Sequence, residues 1–315
     1  MARTFRPFDG VLLLDKPLEL SSNTALQKAR RLFQAEKAGH TGTLDPLATG
    51  LLPVCFGEAT KFSTALLEAD KTYRATVRLG QTTATGDAEG EVLQHRPTAH
   101  LQLADIHAAL AKFRGAIQQL PPMYSALKHQ GKPLYEYIRN GETIDRALRD
   151  VVIHELILHD FDGEQLDISV RCSKGTYIRT LGEDIGEALG CGGHLTKLRR
   201  TAIAHFDLAH GYTLEQLADM SETARETCVL PVDSLMPNMP KLHVDDVQIR
   251  RLAQGQRLGL ETGLPDGKIA LYGAQGFIGV GDLLGTRLAP ERLIARVAQQ
   301  AAVQNVGNLS VALIE

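Results

Sequence analysis

No stretch of this 315-residue chain approaches the ~20 consecutive apolar residues that a membrane helix requires. The N-terminus, MARTFRPFDG, has arginines but no apolar stretch resembling a signal peptide. Cysteine is scarce. Cys55, Cys172, Cys191 and Cys228 are scattered and form no CxxC, which fits a reduced, cytosolic chain. HExxH is absent, and the 11 histidines show no paired metal spacing. A P-loop and a GxSxG elbow are missing, and Gly279, Gly281 and Gly285 give a GxGxxxG of the wrong spacing for a dinucleotide fingerprint. No two carboxylates share a Gly/Thr-rich turn, so a two-acid glycosidase is poorly supported.

What is present is an ordinary globular composition, 43% hydrophobic and 23% charged, long enough for two domains and a sizeable core. The net charge of −3 argues against a nucleic-acid ligand, but its distribution does not. Residues 171–200 carry six Lys/Arg against three acids, residues 128–149 five against three, and residues 202–240 one Arg against six acids. A basic face balanced by an acidic one suits a polyanionic ligand as well as plain solvated surface.

GVLLLDKP (10–17) and LLPVCFG (51–57) read as short buried strands. Between them Ser21 or Ser22 caps a helix with Ala25, Leu26, Ala29, Leu32 and Phe33 on one face. Residues 58–70 have helical spacing, and KTYRATVRLG (71–80) alternates as a half-buried strand. TTATGDAEGEV reads as a polar turn, residues 103–115 as an amphipathic helix ended by Gly115, and 151–161 with 165–175 as a strand pair. Residues 176–190 predict a helix stopped by Gly190, 194–206 a strand, and 213–220 a helix capped by Thr213. The proline-rich stretch 230–244 reads as a linker to a small β-rich module of about 70 residues.

One carboxylate stands out: Asp45 in GHTGTLDPLATGLL, ahead of a proline and an apolar run. An aspartate there serves equally as a turn residue bonding neighbouring amides. The turn is nevertheless long and Gly/Thr-rich, and KGTYIRTL offers Tyr177 and Arg179 as an aromatic wall and a cation. GHTGTLDPLATGLL closely resembles the signature of the bacterial tRNA pseudouridine-55 synthases, the TruB family. So do GVLLLDKP, KTYRATVRLG, MYSALKHQGKPLYEYIR, and CSKGTYIRTLGEDIG followed by LTKLRR, in the family's order over most of residues 10–200.

The resemblance implies a mixed α/β (α+β) fold: a pseudouridine synthase catalytic domain on a mainly antiparallel sheet with flanking helices, over 1–235. A basic, RNA-gripping insertion is expected at about 123–149, and a small PUA-like RNA-binding domain at 243–315. The implied activity is isomerisation of uridine 55 in the tRNA T loop, with Asp45 catalytic and Arg179 pairing with it to hold its pKa down. Tyr73 would stack on the flipped base, Tyr177 and Leu198 would contact the nucleotide, His40 would stack where the base departs, and Lys16 with Pro17 would shape the cleft floor. The reaction involves neither redox change nor net hydrolysis, so no cofactor and no metal are expected. The partner implied is the tRNA T-arm stem-loop, with no protein partner, no membrane and a cytoplasmic monomer. A tRNA-folding chaperone and a guide-RNA-dependent synthase of the archaeal and eukaryotic type are the competing readings. One departure concerns DKPLELSS: Glu19 stands where the family usually has glycine, so the turn is open to a different course.

Overall fold

The computed structural model describes residues 5–125 and 127–294. Its larger sheet has ten strands. Eight form a continuous path: Val229–Leu230, Gly10–Lys16, Ala48–Phe56, Gly193–Ile203, Lys71–Leu79, Gln165–Cys172, Arg149–Phe161 and Gly115–Gln119. Ala38–His40 pairs with Ala48–Phe56, and Phe206–Asp207 with Gly193–Ile203. Every pairing is antiparallel except Ala48–Phe56 against Gly193–Ile203. That parallel seam brings Leu198 opposite Ala48, beside the turn that carries Asp45.

The expected alternation of Lys71–Leu79 holds. Ala75, Val77 and Leu79 are buried in the main core with Ile168, Val170 and Leu195. The helix Ser22–Leu32 closes this core with Ala25, Leu26 and Ala29, and Ser21 caps it by accepting from the Thr24 amide. Helix Ile178–Ala188 lies along Gly193–Ile203, where two glycines permit close approach. A Cβ on Gly186 would stand 2.2 Å from the Gly193 nitrogen, and one on Gly182 would stand 3.2 Å from Val77 Cγ2. Thr213 caps Leu214–Asp219 in a capping box with Gln216, as its spacing predicts.

Residues 58–70 differ from the single helix expected. They divide into a 3₁₀ turn, Gly57–Lys61, and a short helix, Thr64–Glu68. The Thr60 hydroxyl donates to the Gly57 carbonyl at 2.7 Å and the Ser63 hydroxyl to the Thr60 carbonyl at 3.0 Å, so side chains compete with the main-chain ladder at the join. The stretch read as a linker opens on the last residue of Val229–Leu230, a strand of the large sheet, and contributes Lys241–His243 to a second sheet of five strands. A helix, Asp246–Ala253, packs on that smaller sheet. The smaller sheet shares an apolar core with the back of the larger one: Phe62 meets Phe277 edge-on with centroids 5.4 Å apart, and the Tyr272 hydroxyl donates to Asp233 at 2.7 Å. Among the described residues no helix is long and apolar enough to cross a membrane.

Candidate active site

The turn carrying Asp45 joins the strands Ala38–His40 and Ala48–Phe56, and it is pinned from three sides. Ser22, the first residue of its helix, donates its hydroxyl to the Leu44 carbonyl at 2.8 Å and accepts from the Leu44 amide at 2.7 Å. The Glu19 amide donates to the Pro46 carbonyl at 3.0 Å. Glu19 does so at φ +66°, so the left-handed turn that favours glycine is kept although glutamate occupies it. Lys16 lies fully buried beneath, giving its ammonium to the carbonyls of Pro17 at 2.9 Å, Leu20 at 2.6 Å and Pro46 at 3.5 Å. It braces the turn from below and is not among the residues lining the cavity beside Asp45. Burial lowers its pKa to about 8, against the pull of Asp45.

Asp45 Oδ2 lies 3.1 Å from Arg179 Nη2, with the aspartate side chain 42% exposed and the arginine 7%. Arg179 stands in the first turn of Ile178–Ala188, where the Gln119 side chain holds the chain by bonding both the amide (3.0 Å) and the carbonyl (3.2 Å) of Tyr177. The rest of the guanidinium is anchored. Nη1 donates to the Thr85 carbonyl at 3.1 Å and lies 3.5 Å from Asp87 Oδ2, and Nη2 donates to the Tyr124 carbonyl at 2.5 Å. Asp87 is itself buried and held by the Thr85 hydroxyl at 2.5 Å and the Glu89 amide at 3.1 Å. One arginine therefore bridges a sealed carboxylate and an open one.

Burial raises the Asp45 pKa, Asp87 raises it further, and Arg179 and Lys16 oppose them. Arg179 pulls this pKa down, as expected of it, but burial outweighs that pull and the net direction is up.

Asp45, Tyr73, Tyr177, Arg179 and Leu198 line one cavity of about 190 Å³, together with Thr43, Leu44, Ser125, Thr176 and Ile178. His40 is not among the lining residues. Its Nδ1 is buried without a hydrogen-bond partner, and burial followed by Arg200 lowers its pKa. Sequence reading passed over two charged residues. Asp87 falls in the stretch that reads as a polar turn, although an acid in a Thr- and Gly-rich loop is the same signal that singles out Asp45. Arg200 was counted only as a cation of the basic stretch; it is 1% exposed and lies opposite Tyr73 in the strand pairing. Within the stretch 123–149, Lys128–His129 pairs with Lys132–Pro133 in a short hairpin followed by a helix, Leu134–Arg139, and Tyr124 and Ser125 reach the cleft.

Comparison with family models matches three in succession. They are the TruB family pseudouridylate synthase N-terminal domain over residues 30–178, the tRNA pseudouridylate synthase B C-terminal domain over 179–237, and pseudouridine synthase II TruB, C-terminal, over 240–294. The tRNA pseudouridine synthase B of Burkholderia lata is 55% identical over 298 residues, spanning 93% of this chain and 92% of that one. That of Chromobacterium violaceum is 54% identical, spanning 93% and 97%. Among solved structures, Cbf5 in a Cbf5–Nop10–Gar1 complex matches with a TM-score of 0.68 at 26% identity, over 90% of this chain and 84% of that one.

Proposed function

The chain belongs to the TruB family of pseudouridylate synthases, and from that premise we propose that it isomerises uridine 55 in the T loop of tRNA to pseudouridine, with Asp45 as the catalytic carboxylate. The observation that carries this reading is the cleft itself. An aspartate open to solvent on one side and paired with a buried arginine on the other stands beside two tyrosines and a leucine.

The reaction detaches uracil from C1′, turns it and rejoins it through C5. None of this is feasible within a stacked loop, so the nucleoside is extruded, at a cost of roughly a few kcal/mol. Asp45 acts as nucleophile at C1′ or as base at the C2′ proton, and either role needs its ionised form. Arg179 favours that form. Tyr73 stacks on the extruded base and assists proton removal from C5, and Tyr177 and Leu198 flank the nucleotide. His40 stacks where the base departs, as aromatic planes do in RNA readers. The insertion at about 123–149 grips the RNA, and a PUA-like module over 243–315 adds contacts beyond a catalytic domain of 1–235. The chain acts in the cytoplasm, as a monomer and without a guide RNA. Guide independence is supported by relatives named tRNA pseudouridine synthase B at 54–55% identity.

Tritium release from tRNA carrying 5-tritiated uridine tests the proposal. Asp45→Asn is expected to abolish release while tRNA binding stays within about a few-fold, since the change removes an interaction needed for reaction rather than for ground-state binding. Unchanged release would remove Asp45 from the mechanism. A bare T-arm transcript should be a substrate; turnover only in the presence of a guide RNA would overturn the stand-alone reading.

A further inference from the structure

Gln119 is the last residue of the edge strand Gly115–Gln119, yet its side chain is almost wholly enclosed, at 1% exposure. A buried amide has to find hydrogen-bond partners. This one finds both in a single residue. The Tyr177 amide donates to Gln119 Oε1 at 3.0 Å, and Gln119 Nε2 donates to the Tyr177 carbonyl at 3.2 Å. Glutamine suits the task because it carries an acceptor and a donor side by side, as the main chain it grips does. What it grips is the start of the helix that carries Arg179. Tyr177 is the N-cap of Ile178–Ala188, its own side chain makes no capping bond, and its carbonyl also accepts from the Leu181 amide at 3.0 Å.

Gln119 is also the root of the insertion. It pairs with Arg149, so residues 120–148 leave and return at this one pair of strands. Arg146 Nη1 donates to the Pro121 carbonyl at 2.7 Å across the same neck, and the Tyr124 carbonyl further along accepts from Arg179 Nη2. The insertion therefore meets the cleft at two points: at the main chain of Tyr177, through Gln119, and at the guanidinium of Arg179. Tyr177 and Arg179 line the cavity with Asp45, whereas Gln119 does not, so any effect it has on the reaction passes through the residues it holds. We propose that Gln119 is a positioning residue for the isomerisation: by clamping the main chain of Tyr177 to the root of the insertion, it sets the Tyr177 ring and the Arg179 guanidinium against Asp45. This inference rests on the cleft being the pseudouridine-forming site.

Gln119→Met tests it, because methionine keeps the length of the side chain and loses both bonds. The readout is kcat and KM for tritium release, taken well below the melting temperature of each variant. If Gln119 positions the cleft, kcat falls about tenfold, because small displacements of reacting groups cost rate steeply. KM stays within about twofold, because affinity for RNA lies largely in phosphate contacts. Ile117→Ala is the control. Ile117 packs on the main core from the same strand and takes no part in the clamp, so its loss should lower Tm and leave kcat within about twofold. Three results would overturn the proposal: an unchanged kcat in Gln119→Met, a rise in KM alone, or an equal fall in kcat in Ile117→Ala. Should Gln119→Met fail to fold, Gln119→Asn, one methylene too short to span both groups, enters the same comparison with a fall of about threefold expected. Failure of both to fold would assign Gln119 to the fold alone and overturn the proposal. The underlying reading is tested separately: a wild-type protein that releases no tritium refutes the cleft assignment, whereas wild-type turnover with kcat unchanged in Gln119→Met refutes only the role of Gln119.

Discussion

At the scale of single residues, Asp45 is pulled two ways. Burial and the sealed Asp87 favour its proton, whereas Arg179 and Lys16 favour its loss. On the proposed mechanism the ionised form of Asp45 is the active one, so kcat/KM should fall with decreasing pH along a limb lying above the range of a free aspartate. Arg179→Met removes a cation that lowers the Asp45 pKa, so it should move that limb further up; Asp87→Asn removes a charge that raises it and should move the limb down. Tritium release measured from about pH 4 to pH 8 reads both signs, and a limb unmoved by either change would show that these groups do not act on Asp45. Glu19 supplies a second test at this scale. It holds the Pro46 carbonyl from a left-handed conformation that costs an L-residue about 1 kcal/mol. Glu19→Gly should relieve that strain, partly offset by a more flexible unfolded chain, and raise Tm by about 1–3 °C with activity within about twofold, because the amide donor remains. Glu19→Ala keeps the strain and should gain nothing in the same thermal melt. The family resemblance, not local chemistry, grouped Asp45, Tyr73 and Arg179 from sequence. The alternating pattern around Tyr73 and the helix start at Arg179 do not by themselves show them adjacent, and it is the structure that lines one cavity with all three. Arg200 was not legible, because a strand's alternation does not distinguish a cation facing solvent from one sealed beneath a turn.

At the scale of elements, the placement of Arg179 depends on how closely one helix lies on one strand. Gly182 and Gly186 form the smooth face that lets Ile178–Ala188 seat against Gly193–Ile203, and the two sites differ in what surrounds them. A methyl at Gly182 meets the end of the Val77 side chain at 3.2 Å, which can give way; a methyl at Gly186 meets backbone at 2.2 Å and 2.3 Å, which cannot. Gly186→Ala should therefore cost about 2–3 kcal/mol, at the high end for overpacking, and Gly182→Ala about 1 kcal/mol or less. A displaced helix carries Arg179 with it, so Gly186→Ala should also lower kcat at temperatures where the variant remains folded. Thermal denaturation with tritium release on the same samples checks the order; equal costs at the two sites would show that the helix is not held by this contact. The strands and capped helices were predictable because alternation and Ser or Thr caps are local signals, as at Ser21 and Thr213. The break within residues 58–70 was not. It comes from Thr60 and Ser63 bonding backwards while Phe62 turns into a core shared with a sheet more than 200 residues further along the chain.

At the scale of the whole molecule, a chain of net charge −3 must hold a polyanion through local excess rather than total charge. Many cations are already committed to carboxylates. Arg74 pairs with Asp167, Arg199 with Asp15 and Lys268 with Glu291, each at 2.6 Å. The insertion is arranged differently. Lys132 lies 4.7 Å from the Tyr137 ring and Arg139 5.4 Å from the Tyr135 ring, stacked rather than neutralised, and Lys128 is exposed with no carboxylate partner among the described residues. Uncommitted cations release phosphate counterions on binding, whereas committed ones first have to leave their partners. KM for tRNA should therefore rise with salt while kcat holds steady. Lys128→Gln should reduce the slope of log KM against log salt by about one, and Lys268→Gln should leave it unchanged. Initial rates at four or five salt concentrations decide the matter. A slope that responds to Lys268 and not to Lys128 would put the RNA against the smaller sheet rather than against the insertion, and the grip proposed for residues 123–149 would have to move there.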